Sequence, residues 1–221
     1  WNLLYKYFVK NKNQPAADHA RQQIEKLQSL PPALLYIDQI LNEGRLGLAE
    51  RQCRAFLKKN PTHTYAMSLL SEIANRLGYF DDAEFLLEKA VEFKPNDGDL
   101  RMQYAAILRK KQKFAKTMEQ VNILCDQYPD NPIYQAQKAS EMMQNGDHQR
   151  AIKMFDDILS KNPYNFSTHT SKGHAQKTLG KTDQAIKSYQ NAYKIKPDHG
   201  EAFFSLANLK TYAFTPDEFN S

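Results

Sequence analysis

Residues 132–165 read PIYQAQKASEMMQNGDHQRAIKMFDDILSKNPYN, and this stretch contains the pattern that decides the fold. Apolar residues stand at helical spacing on both sides of Gly146, and Pro163 follows the second segment. Glycine enters the left-handed backbone at the end of a helix at little cost, and proline keeps the residue before it out of helical geometry. The stretch therefore predicts two antiparallel helices joined by a tight turn.

The same pattern recurs along most of the chain at a constant interval of 34 residues. The interval is marked by five prolines, which are Pro61, Pro95, Pro129, Pro163 and Pro197. With each repeat numbered from one, position fifteen is occupied by Gly44, Gly78, Gln112, Gly146 and Gly180. Position twenty is occupied by Ala49, Ala83, Thr117, Ala151 and Ala185. Agreement at several positions predicts five repeats, which are residues 30–63, 64–97, 98–131, 132–165 and 166–199.

This pattern resembles the tetratricopeptide repeat, a helix-turn-helix of 34 residues. The resemblance implies an all-α fold, a right-handed superhelix (α-solenoid) of antiparallel helical hairpins. Position four lacks the tryptophan typical of the family, and the third repeat departs further at Gln112 and Thr117. We therefore expect the third repeat to be the weakest. Acidic and hydroxyl residues such as Asp81, Thr182 and Asp183 are expected to cap the second helices.

The two ends of the chain depart from the regular array. Residues 1–29 fit a degenerate N-terminal helical hairpin, and residues 200–221 fit an incomplete sixth repeat, a capping helix and a junction to a downstream domain. The incomplete repeat cannot bury both of its sides alone, so a second domain or a second copy of the chain should cover it. A homodimer would use the apolar residues of this helix, which are Phe203, Phe204, Leu206 and Tyr212.

The segment from Asp198 to Phe219, with the run GEAFFSLANLKTYAFTPDEF, resembles the junction in bacterial tetratricopeptide-repeat sulfotransferases. This resemblance implies that the chain is the N-terminal, non-catalytic part of such an enzyme. It would then position substrate or hold subunits together for a catalytic domain outside this chain. The phosphate-binding loop of that family has no counterpart in the sequence.

Composition argues against several other classes of protein. The net charge is +5 and the basic residues are spread along the helices, which is typical of solvated faces and predicts no nucleic-acid partner. The basic cluster from Arg109 to Lys116 is either a solvated helix end or an electropositive lip that attracts acidic partners. The sequence lacks a long apolar run and predicts no membrane partner. Cys53 and Cys125 lie too far apart in the repeats for a disulfide, and a cytoplasmic location is expected.

No catalytic, metal or cofactor site is predicted. Gly180-Lys181-Thr182 resembles the end of a phosphate-binding loop, but Ala175 stands where that loop needs a glycine. His169 and His174 are five residues apart on one helix, so their side chains diverge by about 140°. No cysteine or carboxylate cluster completes a ligand set.

The resemblance to the repeat family implies that the first helix of each hairpin lines the concave face, which would bind a protein or peptide. The predicted contact residues are Tyr65, Ser68, Glu72, Asn75, Met102, Gln103, Ala106, Arg109, Gln137, Ser140, Met143, Thr170, Ser171, His174 and Lys177. For each of these residues, the alternative interpretation is that it lies on a solvated surface and contacts no partner. The carboxylate clamp of co-chaperones in this family is not expected, because Asp38 and Glu72 occupy position nine and would repel a carboxylate.

Overall fold

The computed structural model describes residues 2–11, 14–209 and 212, and every element in those residues is an α-helix. The helices are α1 (Asn2–Lys10), α2 (Gln14–Gln28), α3 (Pro32–Asn42), α4 (Leu46–Lys59), α5 (Thr64–Leu77), α6 (Phe80–Phe93), α7 (Gly98–Lys110), α8 (Phe114–Gln127), α9 (Pro132–Gln144), α10 (His148–Lys161), α11 (Phe166–Thr178), α12 (Thr182–Ile195) and α13 (Gly200–Ala207). The prediction of an all-α fold is confirmed. Each of these helices is too short or too polar to span a bilayer.

The chain forms two compact units, residues 1–103 and residues 104–221, and the boundary falls within α7. In the N-terminal unit, α1 packs with α2, α3 with α4, and α5 with α6. In the C-terminal unit, α9 packs with α10, α11 with α12, and α13 against α12. Consecutive helices therefore form hairpins within each unit.

Proline determines where the second helices end. They are α4, α6, α8, α10 and α12, and each ends two residues before the proline of its repeat. The residue between helix and proline has a non-helical backbone, as at Asn60 with φ −133° and ψ 67° and at Asn162 with φ −139° and ψ 85°. This geometry follows from the steric conflict between a proline ring and a helical residue before it.

The turn inside each hairpin requires a left-handed residue at position fifteen. The φ angle is 83° at Gly78 and Gly146, and Gln112 adopts the same region with φ 57°. Position fifteen therefore keeps the same left-handed backbone in every repeat, although its residue is glutamine in the third repeat and glycine in the others.

Helix capping differs from the sequence prediction. Asp81 lies in the first turn of α6, whose N-cap is Tyr79, and Thr182 is the first residue of α12, whose N-cap is Lys181. The predicted caps were wrong because the turn ends one residue after its glycine, so position sixteen becomes the N-cap. A side-chain cap occurs where that position is acidic, as at Asp147, whose carboxylate accepts a hydrogen bond from the backbone N–H of Arg150.

The core of each unit is formed by the facing sides of paired helices. In the N-terminal unit, Leu34, Ile37 and Ile73 are buried with Cys53. In the C-terminal unit, one cluster contains Ala139, Ala151, Phe155 and Ile158, and a second contains Ala185, Tyr189, Leu206 and Leu209. Position twenty is fully buried in all five repeats, so its small side chains allow two helices to approach closely.

In three repeats, position four makes a polar contact in place of the missing tryptophan. The Arg101 guanidinium donates a hydrogen bond to the carbonyl of Pro95 over 2.8 Å, and His169 Nε2 donates one to the carbonyl of Pro163 over 2.9 Å. The Gln135 amide donates in the same way to the carbonyl of Pro129. Each contact connects a first helix to the proline that ends the preceding repeat.

Candidate functional site

The N-terminal unit contains a groove of about 920 Å³ beside α5 and the start of α7. Its lining residues are Ser29, Leu30, Lys59, Asn60, Pro61, Thr62, His63, Thr64, Tyr65, Ser68, Lys94, Asp97, Asp99, Leu100, Met102 and Gln103. The groove therefore contains four of the predicted contact residues, Tyr65, Ser68, Met102 and Gln103. It also contains loop residues, such as Lys59 and Lys94, that the sequence analysis did not select.

Ser68 and Gln103 interact with each other in this groove. The Ser68 hydroxyl donates to Gln103 Oε1 over 2.7 Å, and Ser68 itself is buried with 8% exposure. Ser68 therefore holds the Gln103 side chain in place and exposes little surface of its own to a partner. Tyr65 is half-buried, and burial is the main cause of the raised pKa of its phenol, with a further contribution from Asp38.

Glu72 and Asn75 do not line that groove. Arg76 Nε donates to Glu72 Oε1 over 2.8 Å, and Asn75 Nδ2 donates to Glu72 Oε2 over 3.2 Å. Arg76 also donates to the backbone carbonyl of Leu41. The Glu72 carboxylate is therefore partly neutralised on its own helix.

The C-terminal unit contains a second groove of about 360 Å³ between α9 and α11. Its lining residues are Pro132, Ile133, Ala136, Gln137, Ser140, Asn165, Ser167, Thr168 and Ser171. Three predicted contact residues, Gln137, Ser140 and Ser171, meet here. These described lining residues carry hydroxyl, amide and apolar side chains and no formal charge.

Arg109, whose side chain is 37% exposed, forms an ion pair with a buried carboxylate. Its guanidinium contacts Glu141 Oε1, and the Glu141 side chain is only 2% exposed. Gln137 Nε2 donates to the same oxygen over 2.6 Å. The positive charge of Arg109 is thus used to compensate a buried carboxylate that the sequence analysis did not select.

The predicted contact residues of α11 separate into buried and accessible ones. Thr170 is buried with 2% exposure, donates to the carbonyl of Phe166 and accepts from His199 Nε2, so its predicted role as a contact residue is corrected. His174 is half-buried between Tyr189 and Glu201, with His174 Nδ1 2.9 Å from the Tyr189 hydroxyl and Nε2 3.2 Å from Glu201 Oε1.

The remaining predicted contact residues lie outside both grooves. Met143 is half-buried beside the Phe155 cluster, whereas Ala106 and Lys177 are exposed. Among the described residues, no group of histidine, cysteine and carboxylate side chains is arranged to hold a metal ion.

The apolar residues predicted for a homodimer have unequal exposure. Leu206 is 1% exposed and packs with Ala185 and Tyr189, so it cannot contribute to an exposed dimer surface. Phe203 contacts the ring of Tyr193, whereas Phe204 is 65% exposed. The packing of α13 on α12 explains this difference.

A third cavity of about 500 Å³ in the C-terminal unit is lined in part by Cys125, Lys138, Met154 and Lys161. Burial raises the pKa of the Cys125 thiol, and the thiol donates to the carbonyl of Tyr134 over 3.4 Å. A thiol with a raised pKa is a poor nucleophile at neutral pH. This cavity therefore lacks an activated group.

Comparison with protein families identifies the repeats. Two segments, residues 41–98 and residues 166–199, match models of the tetratricopeptide repeat. A tetratricopeptide repeat-containing protein of Caenorhabditis elegans, trd-1, is 26% identical over 132 residues, which are 60% of this chain and 16% of that protein. The chain thus spans a small part of the length of that relative.

Solved structures of repeat proteins share the fold. The structure of YrrB, described as a TPR protein with an unusual peptide-binding site, has a TM-score of 0.62 and 15% identity, with 84% of this chain and 96% of YrrB covered. MamA from Desulfovibrio magneticus RS-1 has a TM-score of 0.65 and 11% identity, with 77% of this chain and 99% of MamA covered. A thermophilic TPR protein of Thermus thermophilus, TTC0263, has a TM-score of 0.61 and 17% identity, with 79% and 95% covered. These likenesses confirm solenoid-like helical repeats.

Proposed function

Because residues 41–98 and 166–199 are tetratricopeptide repeats, we propose that the chain is a non-catalytic scaffold module that binds a protein or peptide along its first helices. The fold is typical of protein–protein interaction. One observation carries the proposal: in each compact unit, a groove is lined in part by residues that the repeat phase assigns to the inner face. Mixed amide, hydroxyl and apolar side chains suit a peptide, which offers both backbone polar groups and side chains.

Site-specific photo-crosslinking tests this proposal. A benzoylphenylalanine in place of Met102 lies in the groove of the N-terminal unit, and the same residue in place of Arg51 lies on the exposed surface of α4. We expect a protein partner to be captured from the native cell by the Met102 variant and not by the Arg51 control. Capture of the same partners with equal yield from both positions would contradict binding along the groove.

The sulfotransferase resemblance remains a prediction. None of the matches reported above is a sulfotransferase, and residues 210, 211 and 213–219 of the predicted junction lie outside the described residues. The gene sequence that follows Ser221 provides the test. A strand followed by a phosphate-binding loop would support a substrate-positioning or subunit-holding role for the repeats.

Dimer formation through α13 is a separate proposal that depends on Phe204. Its side chain is exposed on a helix whose other face is packed on α12. Sedimentation of the chain with Phe204 and of a Phe204→Ser variant tests it. A monomer at every concentration for both proteins would reject the dimer.

A further inference from the structure

The third cavity, of about 500 Å³, lies between α8, α9 and α10 in the C-terminal unit. Its described lining residues are Cys125, Pro129, Gln135, Lys138, Met154, Asp157, Ser160 and Lys161, and none of them lines either groove. At about 100° per residue, positions 135 and 138 lie roughly opposite positions 137 and 140 on α9. The cavity is therefore separate from the surface that we propose for a protein or peptide, and its volume is within the range of small-molecule sites.

Lys138 brings a positive charge to this cavity that the fold does not balance. Its side chain is half-buried, and among the side chains that the structure describes no carboxylate lies within ion-pair distance of its ammonium group. The half-buried Lys89, in contrast, pairs with Glu92 over 2.7 Å. A charge partly withdrawn from water without a counterion is unfavourable, so the fold stabilises an external anion that reaches Lys138.

The next repeat shows which counterion this lysine position takes. Lys172 occupies the same position, seven, and its ammonium group pairs with Asp156, which is at position twenty-five of the preceding repeat. The residue at position twenty-five of the repeat before Lys138 is Asn122, whose amide carries no charge. The C-terminal unit thus supplies a carboxylate to Lys172 and an uncharged residue at the equivalent position for Lys138.

The other charged residues of the cavity limit the charge of a ligand. Lys161 already pairs with Asp130 over 3.3 Å, so its charge is compensated. Asp157 is exposed at the edge of the cavity and would repel a second negative charge. The cavity therefore favours a ligand with a single negative charge, placed at Lys138.

Apolar surface lies beside Lys138. Cys125 and Met154 are half-buried in the lining, and Pro129 adds its ring. Burial is the main cause of the raised pKa of the Cys125 thiol, and the positive charge of Lys138 opposes that rise, so the ammonium group lies near the thiol. The uncharged thiol is a small apolar group. A ligand with one charge and an apolar body can thus satisfy both parts of the lining.

From these contacts we propose that the third cavity binds a small monocarboxylate with an apolar body, whose carboxylate pairs with Lys138 as Asp156 pairs with Lys172. This site goes beyond the proposed scaffold function, because it uses none of the residues on which protein or peptide binding depends. Its lining comes from three helices, so the bound ligand also stabilises their packing.

Three probes with the same apolar chain test the charge requirement. They are hexanoate, hexanamide and hexylammonium. Each is titrated at pH 7 into the chain labelled with ¹³C-methyl methionine, and the signal of Met154 is followed, with Met102 of the other compact unit as the internal reference. We expect hexanoate to shift the Met154 signal. The other two probes should bind about tenfold more weakly or less, because only a carboxylate gains a charge-assisted contact with Lys138.

Variants isolate the role of the lysine. Lys138→Met keeps an apolar side chain and removes the ammonium group, and Lys153→Met is the control, because Lys153 is exposed on α10 and outside the described lining. We expect Lys138→Met to weaken hexanoate binding about tenfold and Lys153→Met to leave it unchanged. Asn122→Asp retains Lys138 and places a carboxylate at the position that Asp156 occupies in the next repeat, so it should compete with hexanoate and also weaken its binding.

Three results would overturn the inference. Equal affinity for hexanamide or hexylammonium would reject the charge requirement, and absence of a Met154 shift with hexanoate would reject the cavity as a site. Wild-type affinity for hexanoate in Lys138→Met, or in Asn122→Asp if Lys138→Met does not fold, would reject Lys138 as the counterion. The Met102 crosslinking experiment tests the scaffold function separately, because it reports on the other compact unit.

Discussion

Gln112 has a left-handed backbone, with φ 57°, at a position where the other four repeats have glycine. An L-residue in this region is strained by roughly 1–2 kcal/mol because its Cβ crowds the carbonyl oxygen. Gln112→Gly should therefore increase the free energy of unfolding by about 1 kcal/mol, after the entropy cost of glycine is subtracted. Urea denaturation monitored by circular dichroism measures the change. A decrease in stability would show that the Gln112 side chain makes a contact worth more than the strain.

Gly173 and Tyr189 form a size-matched pair between α11 and α12. A Cβ placed on Gly173 would lie 2.7 Å from Cδ1 of the Tyr189 ring, and that ring is fully buried. Gly173→Ala should therefore destabilise the chain by roughly 1–3 kcal/mol, although alanine is the better helix former. The measurement is the urea midpoint of Gly173→Ala.

The Tyr189→Leu background provides the control for this clash. With the ring removed, Gly173→Ala should become neutral or stabilising, by up to about 1 kcal/mol from helix propensity. If Gly173→Ala destabilises both backgrounds equally, the ring is not the cause.

At the scale of elements, the Arg109–Glu141 pair connects the end of α7 in the C-terminal unit to α9. Replacement of Arg109 by methionine keeps most of the packing but leaves the buried Glu141 carboxylate without its counterion. We expect a loss of about 3 kcal/mol in the free energy of unfolding.

Arg54→Met is the matched control, because Arg54 pairs with Glu50 over 2.8 Å at a surface where its side chain is 57% exposed. Exposed pairs contribute about 0.5 kcal/mol or less, so this variant should change stability little. Urea denaturation compares the two proteins. If both variants lose a similar free energy of unfolding, the burial of Glu141 does not make its ion pair more stabilising than the exposed one.

At the scale of the whole molecule, each compact unit contains a fully buried side chain whose acidic group has a strongly raised pKa, Cys53 in the first and Tyr189 in the second. Burial raises the pKa of the Cys53 thiol from 9.0 to about 12, and burial and Glu201 raise the pKa of the Tyr189 phenol from 10.0 to about 12. Both groups ionise more easily in the unfolded chain. Their contribution to stability is therefore complete below about pH 9 and is lost as the pH rises towards 12.

Urea denaturation between pH 7 and pH 11 tests this expectation. The free energy of unfolding should be constant near neutrality and fall steeply above pH 9, where more than half of the unfolded Cys53 thiol is ionised. The Cys53→Ala and Tyr189→Phe double variant lacks both groups, so its stability should fall less steeply over that range. If the free energy of unfolding falls equally steeply with pH in both proteins, other groups cause the loss of stability at alkaline pH.

The positions of the helices could be predicted from the sequence because the signals that set them are local. The steric effect of Pro163 acts on the residue before it, and the left-handed turn at Gly146 depends on the absence of its own Cβ. These effects need no distant partner. Because the prolines and the turn residues recur every 34 residues, the ends of the helices recur at the same interval. Gln112 adopts the same left-handed region although it has a Cβ, so the absence of a Cβ does not explain its conformation.

The roles of individual side chains were decided by tertiary packing. Arg109 and Thr170 stand at positions that the phase alone assigns to the inner face, and each is engaged by a residue outside its own helix. Leu206, predicted for a dimer surface, is buried against residues of α12. The Glu141 carboxylate lies 32 positions beyond Arg109, and no local rule indicates that the two charges meet. Burial depends on which neighbouring helix covers a side chain, and that information exists only once the hairpins have packed.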